Sequence, residues 1–328
     1  DIYVPKTRAI EAAEIETVIV GPKEAFIEEM MTNLSMIRRR IRSPHLKVLC
    51  LKVGKITNTD IALLYIEGIT PKKLVQYIED KMLQLDIKGV TDLNMLTEHL
   101  DREQLSIFPQ FFTTERPDVV VSKLLDGRVV GLVDGSPYAF SIPTNFFEFF
   151  QSPDDYNQRW LLGTLSRILR YTALFITLFA SAFYVAVCMF HYEMMPSKLL
   201  NSFIESRNQV PFNPFIEAIL IESIIELLRE AGARLPTKIG MTIGVVGGIV
   251  IGTAAVEAGF TSNILVIVVS ISAISSFVVP HIIMTASLRI TRFLLIILSA
   301  IWGIFGIILG FVFILIHLNR LKVVDEFY

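Results

Sequence analysis

The sequence predicts an α+β N-terminal domain followed by an all-α, polytopic membrane domain, and three observations carry that prediction. Hydrophobic residues make up 52% of the 328-residue chain and the mean hydropathy is +0.55, above the usual range of soluble proteins. The excess is uneven: residues up to about Phe150 are charged and turn-punctuated, whereas long stretches beyond Tyr171 carry no Lys, Arg or Asp. Several of those stretches reach about 20 apolar residues, the length a helix needs to cross a hydrocarbon core. The expected organisation is a soluble α+β domain over 1–150, as one body or two small subdomains, an amphipathic connector over 151–170, and a helical transmembrane domain over 171–328.

In the soluble half, Gly21-Pro22 predicts a helix start, since Pro is favoured in the first turn, with Phe26, Ile27, Met30, Leu34, Ile37 and Ile41 at helical spacing as far as Ser43-Pro44. His45 to Val53 and Asp60 to Ile66 are rich in Val, Ile and Leu and predict strands across a Gly54 to Asn58 turn. Thr70-Pro71 opens a helix to about Leu83 with Leu74, Ile78 and Met82 inward, and a further helix is expected over Leu93 to Leu100. Thr114-Glu115-Arg116-Pro117-Asp118 starts a helix ending at Gly127. Arg128 to Val133 and Tyr138 to Ile142 then flank Asp134-Gly135, which supplies the positive φ of a hairpin turn.

A net charge of −2 and a pI near 6.3 exclude the concentrated basic surface that nucleic acid requires. The run Arg38-Arg39-Arg40 reads as a solvated helix face. Cys50 and Cys188, in a strand and in an apolar span, read as small buried hydrophobes and not as a disulfide. Enzyme chemistry has no foothold: no Walker loop, G-x-G-x-x-G, G-x-S-x-G or H-E-x-x-H occurs, and the Asp134-Gly135 carboxylate is explained by turn chemistry. The histidines are scattered without paired ligands, so no metal and no cofactor is expected.

In the apolar half, Tyr171 to Phe190, Ile264 to Met284 and Phe293 to Ile316 have spanning length, and Ile239 to Val256 is slightly short and Gly-rich. The overlapping G-x-x-x-G spacings at Gly244, Gly248 and Gly252 allow either close helix packing or a pore-lining face. Phe212 to Ala231 carries Glu222, Glu226, Arg229 and Glu230 in one arc opposite an apolar side on which Glu217 intrudes. Such a helix lies either in the membrane interface or with its carboxylates facing protein or water, because each ionised group in lipid costs at least about 2.5 kcal/mol. Arg159, Arg167 and Arg170 before the first span place the soluble domain in the cytoplasm. Four spans plus an amphipathic Glu-rich helix are preferred over five; the two counts put Arg289 and Arg292 on opposite sides of the membrane.

Many short motifs in fixed order resemble the A subunit of GerA-type spore germination receptors. They run from Gly21-Pro22, Phe26, Glu28, Asn33 and Arg38-Arg39-Arg40 through Phe108-Pro109-Gln110, Thr114 to Asp118 and Asp134-Gly135-Ser136-Pro137. They continue in Asp154-Asp155-Tyr156, Pro211-Phe212-Asn213-Pro214 with Glu217, Arg229-Glu230-Ala231-Gly232, Arg234-Leu235-Pro236, and Gly247-Gly248 leading to Ala254-Ala255-Val256. The start at Asp1 and the stretch Leu321 to Tyr328 depart from the family pattern, which predicts a truncated chain.

The resemblance implies a non-enzymatic receptor subunit in the spore inner membrane, its N-terminal domain on the cytoplasmic, spore-core side. It implies a transporter-like B subunit and a lipoprotein C subunit as partners, alongside membrane lipid, and a homo-oligomer forming a ligand-gated cation channel. Pore-lining candidates are Gly244, Val245, Gly248, Ile251, Gly252 and Ala255, and cation-attracting candidates are Glu217, Glu222 and Glu226. Arg38, Arg40, Glu115, Arg116 and Asp118 are candidates for oligomer or subdomain contacts. A secondary transporter or a membrane-anchored scaffold stands as the alternative; a transporter typically shows internal repeats and paired broken helices, whereas this sequence has one Gly-rich segment, and an anchor has no need of buried carboxylates.

Overall fold

The structure, a computed structural model, describes residues 9–235, 248, 250, 252–323 and 326–327. The chain divides into two compact units, Asp1–Arg167 with His317–Tyr328, and Ile168–Ile316.

The first unit is built on one five-stranded antiparallel sheet in the order β1-β2-β4-β5-β3, with β1 at Leu46–Val53, β2 at Thr59–Ile66, β3 at Phe112–Thr114, β4 at Val129–Val133 and β5 at Ala139–Ile142. The chain alternates faces along β2: Ile61 and Leu63 pack with α2 (Lys72–Leu83) and α3 (Leu93–Leu100), while Ala62 and Leu64 pack with α1 (Met30–Arg40) and α4 (Pro117–Leu125). Covered on both sides, β2 is apolar almost throughout instead of alternating with polar residues. The β4–β5 hairpin turns where the Asp-Gly pair predicts, with Gly135 at φ +89°. Opposite each other across that hairpin, Phe140 lies so close over Gly131 that a Cβ there would fall 2.1 Å from its ring.

Two expectations fail in this unit. The first helix starts at Met30, not at Gly21-Pro22, because tertiary hydrogen bonds claim the intervening backbone. Ala13 and Ala25 pair with Lys23 and Glu11, Phe26 N–H donates to the Glu115 carbonyl, and the buried Asn33 side chain accepts from Ile27 N–H at 2.8 Å while donating to its carbonyl. Cys50 is exposed on β1 instead of buried; Cys188 is partly buried, and both are free thiols.

A 3-10 turn at Phe146–Phe150 precedes the connector, which is mostly helical: it holds α5 at Asp154–Asn157 and the start of α6 at Trp160–Phe190, whose 31 residues span about 46 Å. The second unit continues with α7 (Ser197–Arg207), α8 (Pro214–Arg234), α9 (Asn263–Ser276) and α10 (Ile282–Arg320). By length and composition α6 and α10 are apolar enough to cross a membrane.

The expected span Ile264 to Met284 is instead divided. Helix α9 ends at Ser276 after 14 residues, and Phe277–His281, with Pro280 lacking a backbone donor, separates it from α10. The expected span Phe293 to Ile316 is also interrupted. At Gly303 the backbone leaves helical geometry (φ +61°, ψ −139°), and the chain doubles back. A Cβ on Gly306 would lie 2.1 Å from the Leu298 carbonyl oxygen and one on Gly310 2.6 Å from a Leu295 methyl. In a straight helix residues 295 and 310 would stand about 22 Å apart, so α10 is two antiparallel arms of roughly 20 residues. Most of Ile239 to Val256 lies outside the described residues; 252–257 are helical.

Candidate functional site

Helix α8 starts at Pro214, where the Asn213 side chain accepts from Ile216 N–H at 2.8 Å and caps the first turn. Its stripe of acids faces protein. Glu217 and Glu222 are fully buried and Glu226 is mostly buried. This decides between the surface and interior readings of the helix for these three residues, while the exposed Glu230–Arg234 pair at 2.6 Å keeps the surface character of its last turns.

Each buried acid is met by arginine. Glu217 accepts from Arg207 at 2.7 Å, from Ser262 N–H at 2.6 Å and from the Thr261 hydroxyl at 3.1 Å; Arg207 also donates to the Tyr184 hydroxyl at 3.1 Å. Toward the other end of α8, Glu222 accepts from the Ser181 hydroxyl of α6 at 2.5 Å and pairs with Arg292 at 2.9 Å. Glu226 accepts from Arg292 at 2.9 Å and from Arg289 at 2.8 Å, with Arg229 at 3.5 Å. Arg292 is fully buried and donates to the Ser272 hydroxyl at 3.2 Å, and Arg229 donates to the Ser276 hydroxyl at 2.8 Å while stacking on the Phe277 ring at 4.7 Å. Ionic and polar contacts therefore tie α6, α8, α9 and the first arm of α10 into one cluster.

Arg289 and Arg292, which the sequence placed between two spans, lie within α10, and their pairing with the acids of α8 was not anticipated. The signal was available: two carboxylates at i and i+4 on α8 require cations, and two arginines at i and i+3 present them from one helix face.

Of the six pore-lining candidates, Gly244, Val245 and Ile251 lie outside the described residues. Gly248 and Gly252 have no described atom within 4 Å of an added Cβ, and Ala255 is half-buried. Four of the five contact candidates of the first unit, Arg40, Glu115, Arg116 and Asp118, make contacts within the chain. Arg116, fully buried, donates to the Pro22 carbonyl and to Asp118, each at 2.7 Å, and Glu115 accepts from Ile15 and Glu16 N–H at 2.8 and 2.6 Å. They strap residues 15–22 onto the sheet unit. Arg40 pairs with Glu24 at 2.8 Å, and Arg38 is exposed. Among the described residues no group of His, Cys, Asp and Glu is arranged to hold a metal ion.

Against known proteins, the model of the Bacillus/Clostridium GerA spore germination protein family matches residues 1–328. The chain belongs to the GerA family. It is 44% identical to spore germination protein GerQA of Bacillus cereus over 95% of the chain and 63% of that protein. To spore germination protein KA of Bacillus subtilis strain 168 it is 42% identical over 96% of the chain and 58% of the relative, so it spans about half to two thirds of such relatives. A crystal structure of the N-terminal domain of the A subunit of the Bacillus megaterium spore germinant receptor GerK3 aligns at 38% identity with a TM-score of 0.31, covering 37% of this chain and 97% of that one. The GerA family is one of germination proteins and not of enzymes, in keeping with a sequence that carries no catalytic motif.

Proposed function

We propose that this GerA-family chain is a membrane subunit of a nutrient-responsive germinant receptor, of the A type, and that copies of it form a ligand-gated cation channel whose opening starts germination. Its sheet unit lies on the cytoplasmic, spore-core side of the inner membrane, and its partners are a transporter-like B subunit and a lipoprotein C subunit. Family membership and the similarity to spore germination proteins GerQA and KA support the receptor role.

The observation that carries the channel reading is the burial of Glu217 and Glu222 on one helix of the second unit, each held by arginine from another helix. An anchor has no use for such groups, whose burial costs several kcal/mol per ion before pairing. A gate has, because discrete ion pairs between helices give a bundle two separable arrangements. With every acid paired the bundle is closed; parting α8 from its arginines frees Glu217, Glu222 and Glu226 to draw cations. Gly244, Val245, Gly248, Ile251, Gly252 and Ala255 form the narrow apolar stretch that gates by dewetting.

The test is spores carrying Val245→Ser or Ile251→Ser in the full-length protein. A wetted constriction leaks, so potassium release and loss of dormancy without nutrient are expected. Ion release that matches the parent strain in both variants, at equal protein abundance, overturns the pore assignment. Saturable uptake by the reconstituted protein, in place of channel currents, identifies a transporter.

A further inference from the structure

The cluster between α8 and α10 holds more positive than negative charge. Three guanidiniums, Arg229, Arg289 and Arg292, face two carboxylates, Glu222 and Glu226. Protonating either acid only widens the imbalance, and arginine does not give up its proton in proteins. The stretch 236–251 that is largely undescribed contains no Asp or Glu, so it cannot supply the missing charge. Glu222 Oε1 accepts from Ser181 and both Glu226 oxygens accept from arginine, while Glu222 Oε2 lies 2.9 Å from Arg292 as an ion pair without a hydrogen bond; against that one acceptor, four buried N–H groups remain without a hydrogen-bond partner: Nε and Nη1 of Arg229, Nε of Arg289 and Nε of the fully buried Arg292. A buried cation with unused donors is costly unless an anion meets it.

We propose that this cluster is an anion site that takes a phosphate-type oxyanion, on a phospholipid headgroup or as free phosphate. Arginine's planar fork suits such an oxyanion, and Arg229 and Arg289 are the ligands within reach, being partly exposed at 15% and 26% of the side chain against 0% for Arg292. Their position suits a headgroup. Arg229 meets Ser276, the last residue of α9, and stacks on the exposed Phe277; Arg289 lies two turns, about 10 Å, into α10. That is the depth to which a headgroup phosphate and a long basic side chain approach each other from opposite sides. Headgroup occupancy rests on the membrane placement proposed above; the charge imbalance does not.

Binding is measured on the purified chain in a non-ionic, phosphate-free detergent, with short-chain phosphatidylglycerol and inorganic phosphate as separate titrants. The wild type is expected to bind, and Arg229→Gln with Arg289→Gln to weaken binding tenfold or more, whereas Arg234→Gln, in the exposed pair with Glu230, leaves it unchanged. Binding of lipid alone identifies the headgroup as the source, and binding of phosphate alone identifies the free ion. Should the double variant not fold, the single Arg229→Lys and Arg289→Lys variants, which keep charge but lose the fork, are expected to weaken binding by a smaller factor. No binding of either titrant to the wild type, or equal affinity in the folded variants, overturns the proposal. Sedimentation of the chain with membranes is scored separately, so failure of the membrane placement is told apart from failure of the site.

Discussion

Glu222 of α8 and Arg292 of α10 form an ion pair at 2.9 Å in which neither side chain has any exposed surface. Removing one partner leaves an uncompensated buried charge, at a cost of about 3–5 kcal/mol, whereas replacing both by apolar residues of similar volume is near neutral. Arg292→Met alone is therefore expected to lower the melting temperature of the detergent-solubilised chain sharply, and Glu222→Leu with Arg292→Met to recover most of the loss. A single variant that melts with the wild type would show that the pair does not hold α8 to α10.

Gly306 approaches the Leu298 carbonyl too closely to tolerate any side chain, and Gly303 combines φ +61° with a Cβ position 2.9 Å from His191 Nε2. Gly306→Ala must push the arms of the α10 hairpin apart, and Gly303→Ala adds backbone strain; each is expected to cost on the order of 1–3 kcal/mol. Spin labels at exposed Ile297 and Ile308, on opposite arms, read the separation directly. A distance unchanged by Gly306→Ala would mean that the arms accommodate the methyl.

What the sequence disclosed follows local chemistry. The Asp134-Gly135 hairpin, α3 and the inner face of α2 depend on residues near one another in the chain, and each lies where turn and periodicity rules put it. The start of α1 was hidden because Asn33 and Glu115 take the backbone at Ile27 and Phe26, which no local pattern reveals. Strand β3 has 3 residues, too few to show an alternation. Gly303 was concealed inside an apolar run, where one glycine is as consistent with a packed helix as with a reversal. The site was half legible: Glu217 marked itself by intruding on an apolar face and Glu222 and Glu226 by forming an acidic arc, but Arg289 and Arg292, which pair with that arc, stand more than sixty residues from Glu226 and resembled flanking charges.

Burial pushes the Glu16 carboxyl up to about 7, against the opposing hydrogen bond from Thr114 and with Glu115 adding to the rise; burial likewise raises Asp101 to about 7 despite Lys81. An acid protonated more readily in the folded chain stabilises the fold below its unfolded pKa, near 4, and that contribution is lost as pH climbs through about 7. The first unit is accordingly expected to lose stability between about pH 4 and 7, by on the order of 3–4 kcal/mol per group at most. Hydrogen exchange at Ile15 and Glu16, whose amides donate to Glu115, reports loosening of the strap. Glu16→Gln should flatten the profile there, and an undiminished slope would assign it to another group.

Gly248 meets no described atom within 4 Å of an added Cβ, in direct contrast to Gly306. Among the described residues, then, Gly248→Ala adds a methyl to open space and gains up to about 1 kcal/mol of helix propensity. The variant is expected to melt no lower than wild type. If the glycine face serves contact between copies or a conducting path, the same methyl should alter nutrient-triggered ion release while the fold is unaffected, and only a function exercised outside the single chain separates those two readouts. Loss of melting temperature in Gly248→Ala would place the glycine in packing within the chain and remove it from the pore set.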